Sequence, residues 1–299
     1  MDIIIIQMIK LFGLILIGYT LNKLKILDEV SNKKFSTFLV NVTIPALIIS
    51  SSIGQGLSDK EDIITVVSLG IGMFILLPMI STVIVKILNI DKTYKLMLNY
   101  SNLGFMGIPI ISSIYGDDKV FYVCLIMMIF NISIFSHGIY IIQSDSKGKF
   151  DIKSMLNPGI ISAVIAIIIY IFSLHVNSCI SDLLGQVGGI TTPLAMIVIG
   201  STLAEVNIFS IFNDRMMYVF TMLKMIIYPL IIYLILIMTI DNSMIIGLMT
   251  ILCGLPTAGN VSMVCSEYDG NIELASKGIC ITTAFSLITL PLLIMLVNR

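Results

Sequence analysis

Long apolar runs separated by short polar stretches dominate the chain. Ten stand out, at about 3–22, 35–53, 63–89, 96–114, 120–143, 159–177, 189–206, 217–239, 244–267 and 276–298. At about 1.5 Å of rise per residue, each is long enough for a helix spanning the roughly 30 Å of bilayer hydrocarbon. The pattern predicts an all-α polytopic membrane protein with ten transmembrane helices. The longest connection, 144–158, divides the chain into a first five-helix repeat, 1–143, and a second, 159–299.

Two runs are interrupted at matching places. The ninth contains Cys253-Gly254-Leu255-Pro256-Thr257-Ala258-Gly259-Asn260-Val261-Ser262, and the fourth contains Asn102-Leu103-Gly104-Phe105-Met106-Gly107-Ile108-Pro109. Proline removes a backbone donor and clashes with the preceding turn, while glycine weakens the helix around it. A break at membrane depth strands amides and carbonyls that hydrocarbon cannot satisfy, so it survives only inside protein or against a watery cavity. Paired broken helices in two halves of a chain point to the substrate site of a secondary transporter. The halves also match at Pro45 and Pro193 and at Tyr115 and Tyr268, each pair about 150 residues apart. Pro45, Pro109, Pro193, Pro256 and Gly259 are the expected helix-breaking positions.

Charge sets the orientation. Connections after odd-numbered runs carry Lys23, Lys25, Lys33, Lys34, Lys86, Lys92, Lys95, Lys147, Lys149, Lys153, Arg215 and Lys277, whereas those after even-numbered runs carry Lys60 and Lys119. Lysine-rich connections face the cytoplasm. Both termini are then outside the cell membrane, and five spans per half make the second repeat inverted. The N-terminus has no basic region or small-residue cleavage site, so it reads as a retained first span.

Composition narrows the function. Mean hydropathy is +1.05, charged residues are 12% and net charge is -1, which leaves the lipid bilayer as surroundings and gives no basic patch for nucleic acid. Cys124, Cys179, Cys253, Cys265 and Cys280 lack metal-ligand spacing, so no metal or other cofactor is expected. His137 and His175 are the only histidines and form no catalytic pairing, so an enzyme is not expected.

At each break a second half-helix begins with free amides and a positive dipole end, which together make an anion site. Gly107 followed by Pro109 suits a helix start, Asn260 suits an N-cap, and Ser262 adds a hydroxyl. Asn102 and Asn260 are candidate donors to a carboxylate, with Gly104, Gly107, Ser101, Thr257, Asn131 and Ser133 around them. The competing role for both asparagines is to satisfy the freed backbone groups. Lys10 is a lone charge in the first run, and His137 lies in the fifth. Glu205 and Lys224 are expected near the cytoplasmic ends of the seventh and eighth runs, paired or solvated.

The motifs Asn41 to Leu47, Asn102 to Pro109, Pro193 to Ala204, Leu255 to Ser262 and Thr282 to Leu292 together resemble the auxin efflux carrier family, whose bacterial members include malate and malonate permeases. The resemblance covers nearly the whole chain. It implies two inverted repeats whose fourth and ninth helices cross over, similar to bile acid sodium symporters. It also implies a scaffold of spans 1, 2, 6 and 7, and a mobile unit of spans 3–5 and 8–10 holding a small organic anion, moved by elevator-type alternating access. The chain lacks the long central loop of many plant members. It also lacks, in Pro256 to Ser262, the acidic or glutamine side chains that help to bind sodium in the symporters. The expected activity is that of a permease for a mono- or dicarboxylate. A sodium- or proton-coupled symporter and a non-transporting anion sensor are the alternatives, and a homodimer is a candidate assembly.

The orientation is testable by labelling. In a cysteine-free background, a cysteine near Gly148 reacts only from the cytoplasm and one near Asn242 only from outside; the reverse pattern overturns the inverted arrangement.

Overall fold

The structure is a computed structural model and describes residues 2–53, 60–142, 158–172, 174–205, 214–268 and 270–298. Among them, secondary structure is helical apart from one isolated antiparallel bridge between Ser101 and Thr257. In chain order the α-helices are α1 (Asp2–Lys23), α2 (Glu29–Phe38), α3 (Ile44–Ser52), α4 (Lys60–Leu88), α5 (Lys92–Asn99), α6 (Ile108–Tyr115), α7 (Val120–Ser133) and α8 (Ile139–Ile142). They continue with α9 (Pro158–Ile171), α10 (Ser178–Gly189), α11 (Thr191–Glu205), α12 (Arg215–Met222), α13 (Tyr228–Thr239), α14 (Ser243–Cys253), α15 (Gly259–Glu267) and α16 (Ile272–Val297).

Among the described residues six helical stretches are long and apolar enough to cross a membrane: Glu29–Ser52, Glu61–Leu88, Asp117–Ile142, Ser178–Glu205, Arg215–Thr239 and Ile272–Val297. This is a multi-pass membrane protein. The fourth and ninth apolar runs are each divided into two shorter pieces. The break in the ninth holds Gly254 and Pro256. The break in the fourth falls at Tyr100–Asn102, ahead of the expected Gly104, Gly107 and Pro109, which lie in the helical piece that follows. Another boundary differs from the sequence pattern. The stretch 178–188, read as a connection, is helical, because the Asn177 side chain accepts the Cys179 amide at 2.9 Å and caps α10. Asp28, Asp91, Asp214, Asn242 and Asn271 start α2, α5, α12, α14 and α16 in the same way. The Ser31 hydroxyl and amide both donate to Asp28 and hold its carboxyl below the usual aspartate value.

Proline does not always break a helix here. Pro45, Pro109 and Pro229 each stand in the first turn of an α-helix, behind a π-helical turn at Leu39–Thr43, Leu103–Gly107 or Leu223–Ile227. The wider turn accommodates a residue that cannot donate to the preceding turn. At Pro45 the chain therefore stays helical from Glu29 to Ser52. Pro193 is the third residue of α11 and follows a one-residue interruption at Ile190.

The chain forms two compact units that cut across the sequence halves. Unit 1 comprises Met1–Val66, Gly104–Met128 and Leu156–Val206; unit 2 comprises Val67–Leu103, Ile129–Met155 and Asn207–Arg299. The division falls between Leu103 and Gly104, so the second piece of the fourth run belongs to unit 1. The resemblance had implied that this whole run lies in the mobile unit.

Unit 1 is organised by α1 against α11. A Cβ at Gly18 would overlap the Ile197 carbonyl, and one at Gly200 would overlap the Ile15 carbonyl. In a membrane, where burial drives little association, such close backbone approach supplies much of the packing. In the same unit Gly188 packs against the Leu47 backbone. At the end of α11, Glu205 accepts hydrogen bonds from Asn22 at 2.9 Å and Asn32 at 3.0 Å, and Lys23 donates to the Ala204 carbonyl at 2.9 Å. Unit 2 holds α12 to α16 with α5, and buries a ring cluster of Phe74, Tyr100 and Phe130 with centroids 5.5–6.3 Å apart.

The α1–α11 contact predicts that Gly18→Ala or Gly200→Ala destabilises the protein by about 1–3 kcal/mol, the usual range for overpacking. A methyl group at Gly13 would meet nothing within 4 Å, so Gly13→Ala on the same helix leaves thermal stability unchanged or raised. Equal melting temperatures for all three variants would remove the contact from the account.

Candidate functional site

The two breaks meet inside unit 2. Helix α5 ends at Tyr100, which is extended (φ -113°, ψ 106°), and the chain becomes helical again from Leu103. Helix α14 ends at Gly254, and Leu255, Pro256 and Thr257 lead to Ala258, the extended N-cap of α15. The two extended segments run antiparallel and pair as short strands do. The Asn102 amide donates to the Pro256 carbonyl at 2.8 Å, and the Ala258 amide donates to the Tyr100 carbonyl at 2.9 Å. Ser101 and Leu255 to Ala258 are buried.

Side chains satisfy what this pairing leaves open. The Thr257 hydroxyl donates to the Met97 carbonyl at 3.1 Å, and the Thr257 amide donates to the Thr282 hydroxyl oxygen at 3.1 Å. The Ser101 hydroxyl donates to the Cys253 carbonyl at 3.3 Å. Lys224 donates to the Leu98 carbonyl at 2.9 Å and to the Ser101 hydroxyl oxygen at 2.8 Å. Gly254 has no side chain because Leu293 and Pro229 crowd the position. The C-terminal carbonyls of α5 and α14 thus receive hydroxyl or ammonium donors where a continuous helix would supply amides.

Lys224 is the one charged side chain among the described residues that is fully buried. No carboxylate pairs with it among those residues. It extends from the π-helical turn Leu223–Ile227, ahead of Pro229. This corrects the sequence expectation of a solvated or Glu205-paired group. The missed signal was a lysine nine residues beyond Arg215 in an apolar run, since a charge at such depth is functional by default.

The other expected residues are distributed as follows. Thr257 and the Asn102 backbone belong to the junction itself. Ser133 reaches it through Tyr100, whose hydroxyl donates to the Ser133 carbonyl at 2.9 Å and lies 3.0 Å from the Ser133 hydroxyl. The same phenol is 3.4 Å from His137 Nδ1. Asn131 is buried in unit 2. Asn260 is not the cap of α15, because Ala258 occupies that position without a side-chain hydrogen bond. Asn260 instead lies in the exposed first turn, and Ser262 is half-buried two residues further on. Gly104 and Gly107 belong to unit 1, on the helical turn leading into α6. Lys10 is exposed.

Unit 1 has an open cavity of about 560 Å³ lined by residues including Ser50, Asp117, Asp118, Asp182 and Gln186. Its charged lining is acidic, which disfavours an anion there. Unit 2 instead holds a buried lysine and the uncapped start of α15.

The comparisons with known proteins agree with a transporter. The model of a family described as membrane transport protein matches residues 3–152 and 146–294. An uncharacterized transporter of Methanothermobacter thermautotrophicus is 24% identical over 289 residues, covering 93% of each chain. Long apolar helices, paired helix breaks and these matches converge: the chain belongs to the membrane transport protein family, the auxin efflux carrier family of the resemblance, and is a transporter and not an enzyme.

Proposed function

We propose that this transporter moves a small organic anion, a mono- or dicarboxylate, across the cytoplasmic membrane by elevator-type alternating access. The reading takes the chain as ten spans in two inverted five-helix repeats with both termini outside. The observation that carries it is the junction of unit 2: two interrupted helices paired through Ser101 and Thr257, with Lys224 buried beside them and no carboxylate among the described residues to neutralise it. A buried charge without a partner is unfavourable, so the region favours an anion. The start of α15 adds amides and a positive dipole end, and its exposed Asn260 side chain adds a donor.

Unit 2 is then the part that carries the anion, and unit 1, with its close α1–α11 packing, is the static part. The near absence of acidic residues from the junction favours a carboxylate over a cation as substrate. Asn102, Asn131, Ser133, Thr257 and Ser262 are the further polar groups of unit 2 proposed to bind it.

Purified protein in liposomes, tested against labelled mono- and dicarboxylates, decides the matter. The expected result is saturable uptake of at least one. Binding without uptake would make the protein an anion sensor, and neither binding nor uptake would overturn the reading. Asn260 has an exposed side chain with no hydrogen bond to other described residues, so Asn260→Ala keeps the wild-type melting temperature. It weakens anion binding by about 10- to 150-fold, the value of a hydrogen bond to a charged group. Asn102→Ala weakens binding by a similar factor. Unchanged affinity in both variants would remove the asparagines from the site.

A further inference from the structure

Carriers built on interrupted helices coordinate their coupling cation with unwound backbone carbonyls and the C-terminal ends of half-helices. The equivalent atoms of this chain are already engaged. Leu98 lies in the last turn of α5, and its carbonyl is 2.9 Å from Lys224 Nζ. Ser101 lies in the extended segment, and its hydroxyl oxygen is 2.8 Å from the same nitrogen. Because the Ser101 proton is directed to the Cys253 carbonyl, the Ser101 oxygen faces the ammonium as an acceptor. Both contacts are therefore oxygen lone pairs, the kind of ligand a sodium ion takes. The ammonium also sits at the negative end of the α5 dipole, where a cation is stabilised.

We infer that Lys224 is the resident cation of the junction: it performs from within the chain the task that a bound sodium ion performs in a sodium-driven carrier, and the transporter runs without sodium. The inference rests on the transport reading above and assigns its coupling. The lysine holds the end of α5 to the extended segment at all times and lends its charge to the anion. A sodium ion would do both only while bound. The two contacts lie 126 and 123 residues upstream in the chain, so this one side chain ties the eighth run to the break in the fourth.

The test uses full-length protein, melted in sodium chloride and in choline chloride at equal ionic strength, with uptake measured in both salts. The wild type melts at the same temperature in each and takes up carboxylate equally fast. Lys224→Ala removes the ammonium and leaves space beside the Leu98 and Ser101 oxygens. This variant melts several degrees lower in choline and recovers in sodium, and its uptake becomes sodium-dependent. Lys224→Gln keeps two donors without the charge; it melts below the wild type in choline and transports more slowly. The glutamine variant decides if the alanine variant fails to fold.

Sodium stabilisation of the wild type would overturn the inference. So would an alanine variant that is destabilised and indifferent to sodium, or a glutamine variant equal to wild type in both stability and rate. The melting measurements need no transport. Absence of uptake for every carboxylate would therefore sink the transport reading while the sodium response still decides the role of Lys224.

Discussion

Hydrocarbon offers no hydrogen bonds, and every feature of unit 2 answers to that constraint. Interrupting two helices at membrane depth releases the carbonyls that end α5 and α14 and the amides that begin the next segments. Pairing the two interruptions satisfies part of the deficit, through Asn102 to Pro256 and Ala258 to Tyr100. The remainder falls to Thr257, Thr282, Ser101 and Lys224, each buried and each directed at a backbone or hydroxyl partner. Neither interruption is tenable without the other, because each supplies part of the other's hydrogen bonding. A single broken helix would leave buried groups unpaired at about 1–3 kcal/mol apiece.

Prolines and glycines play three distinct parts in this chain. Pro256 stands within a real interruption, while Pro45, Pro109 and Pro229 follow π-helical turns that keep the chain coiled. The turn before Pro229 is also the one from which Lys224 extends, so the local widening and the buried cation share a few residues. Glycine permits close contact instead of flexibility at Gly18 and Gly200, where two backbones meet with no room for a methyl group.

The sequence made the long runs and the interruption of the ninth legible, because both depend on local chemistry: apolar length, and Gly254 and Pro256 within it. In the fourth, Gly104 and Gly107 pointed to a break that falls a few residues earlier, at Tyr100–Asn102. What it concealed depends on distant partners. Lys224 reads as an ordinary lysine until Leu98 and Ser101 are brought to it. Thr282 looks like any threonine in an apolar helix, yet it receives the Thr257 amide. Asn260 has the right chemistry for a cap but stands two residues late, since Ala258 already has the extended conformation that precedes a helix. The helix at 178–188 was hidden by Asp182, Gly185 and Gln186, which interrupt the apolar pattern without interrupting the backbone. The composition of the two units followed from no local pattern, because each draws segments from both halves. Only the resemblance grouped spans 1, 2, 6 and 7 against 3–5 and 8–10, and the units depart from that grouping chiefly at Gly104–Met128.

That interleaving bears on how the protein is made. A chain that folds as it leaves the ribosome presents its N-terminal segments first. The segments of unit 1 have all appeared by Val206, so its helices can associate early. The partners of Met97, Leu98 and Ser101 arrive only with Lys224, Cys253 and Thr257, more than a hundred residues later. Until then the broken backbone of the fourth run lacks these partners. Maturation therefore has a vulnerable interval, set by translation speed, in which chaperones and quality-control proteases meet a half-assembled protein.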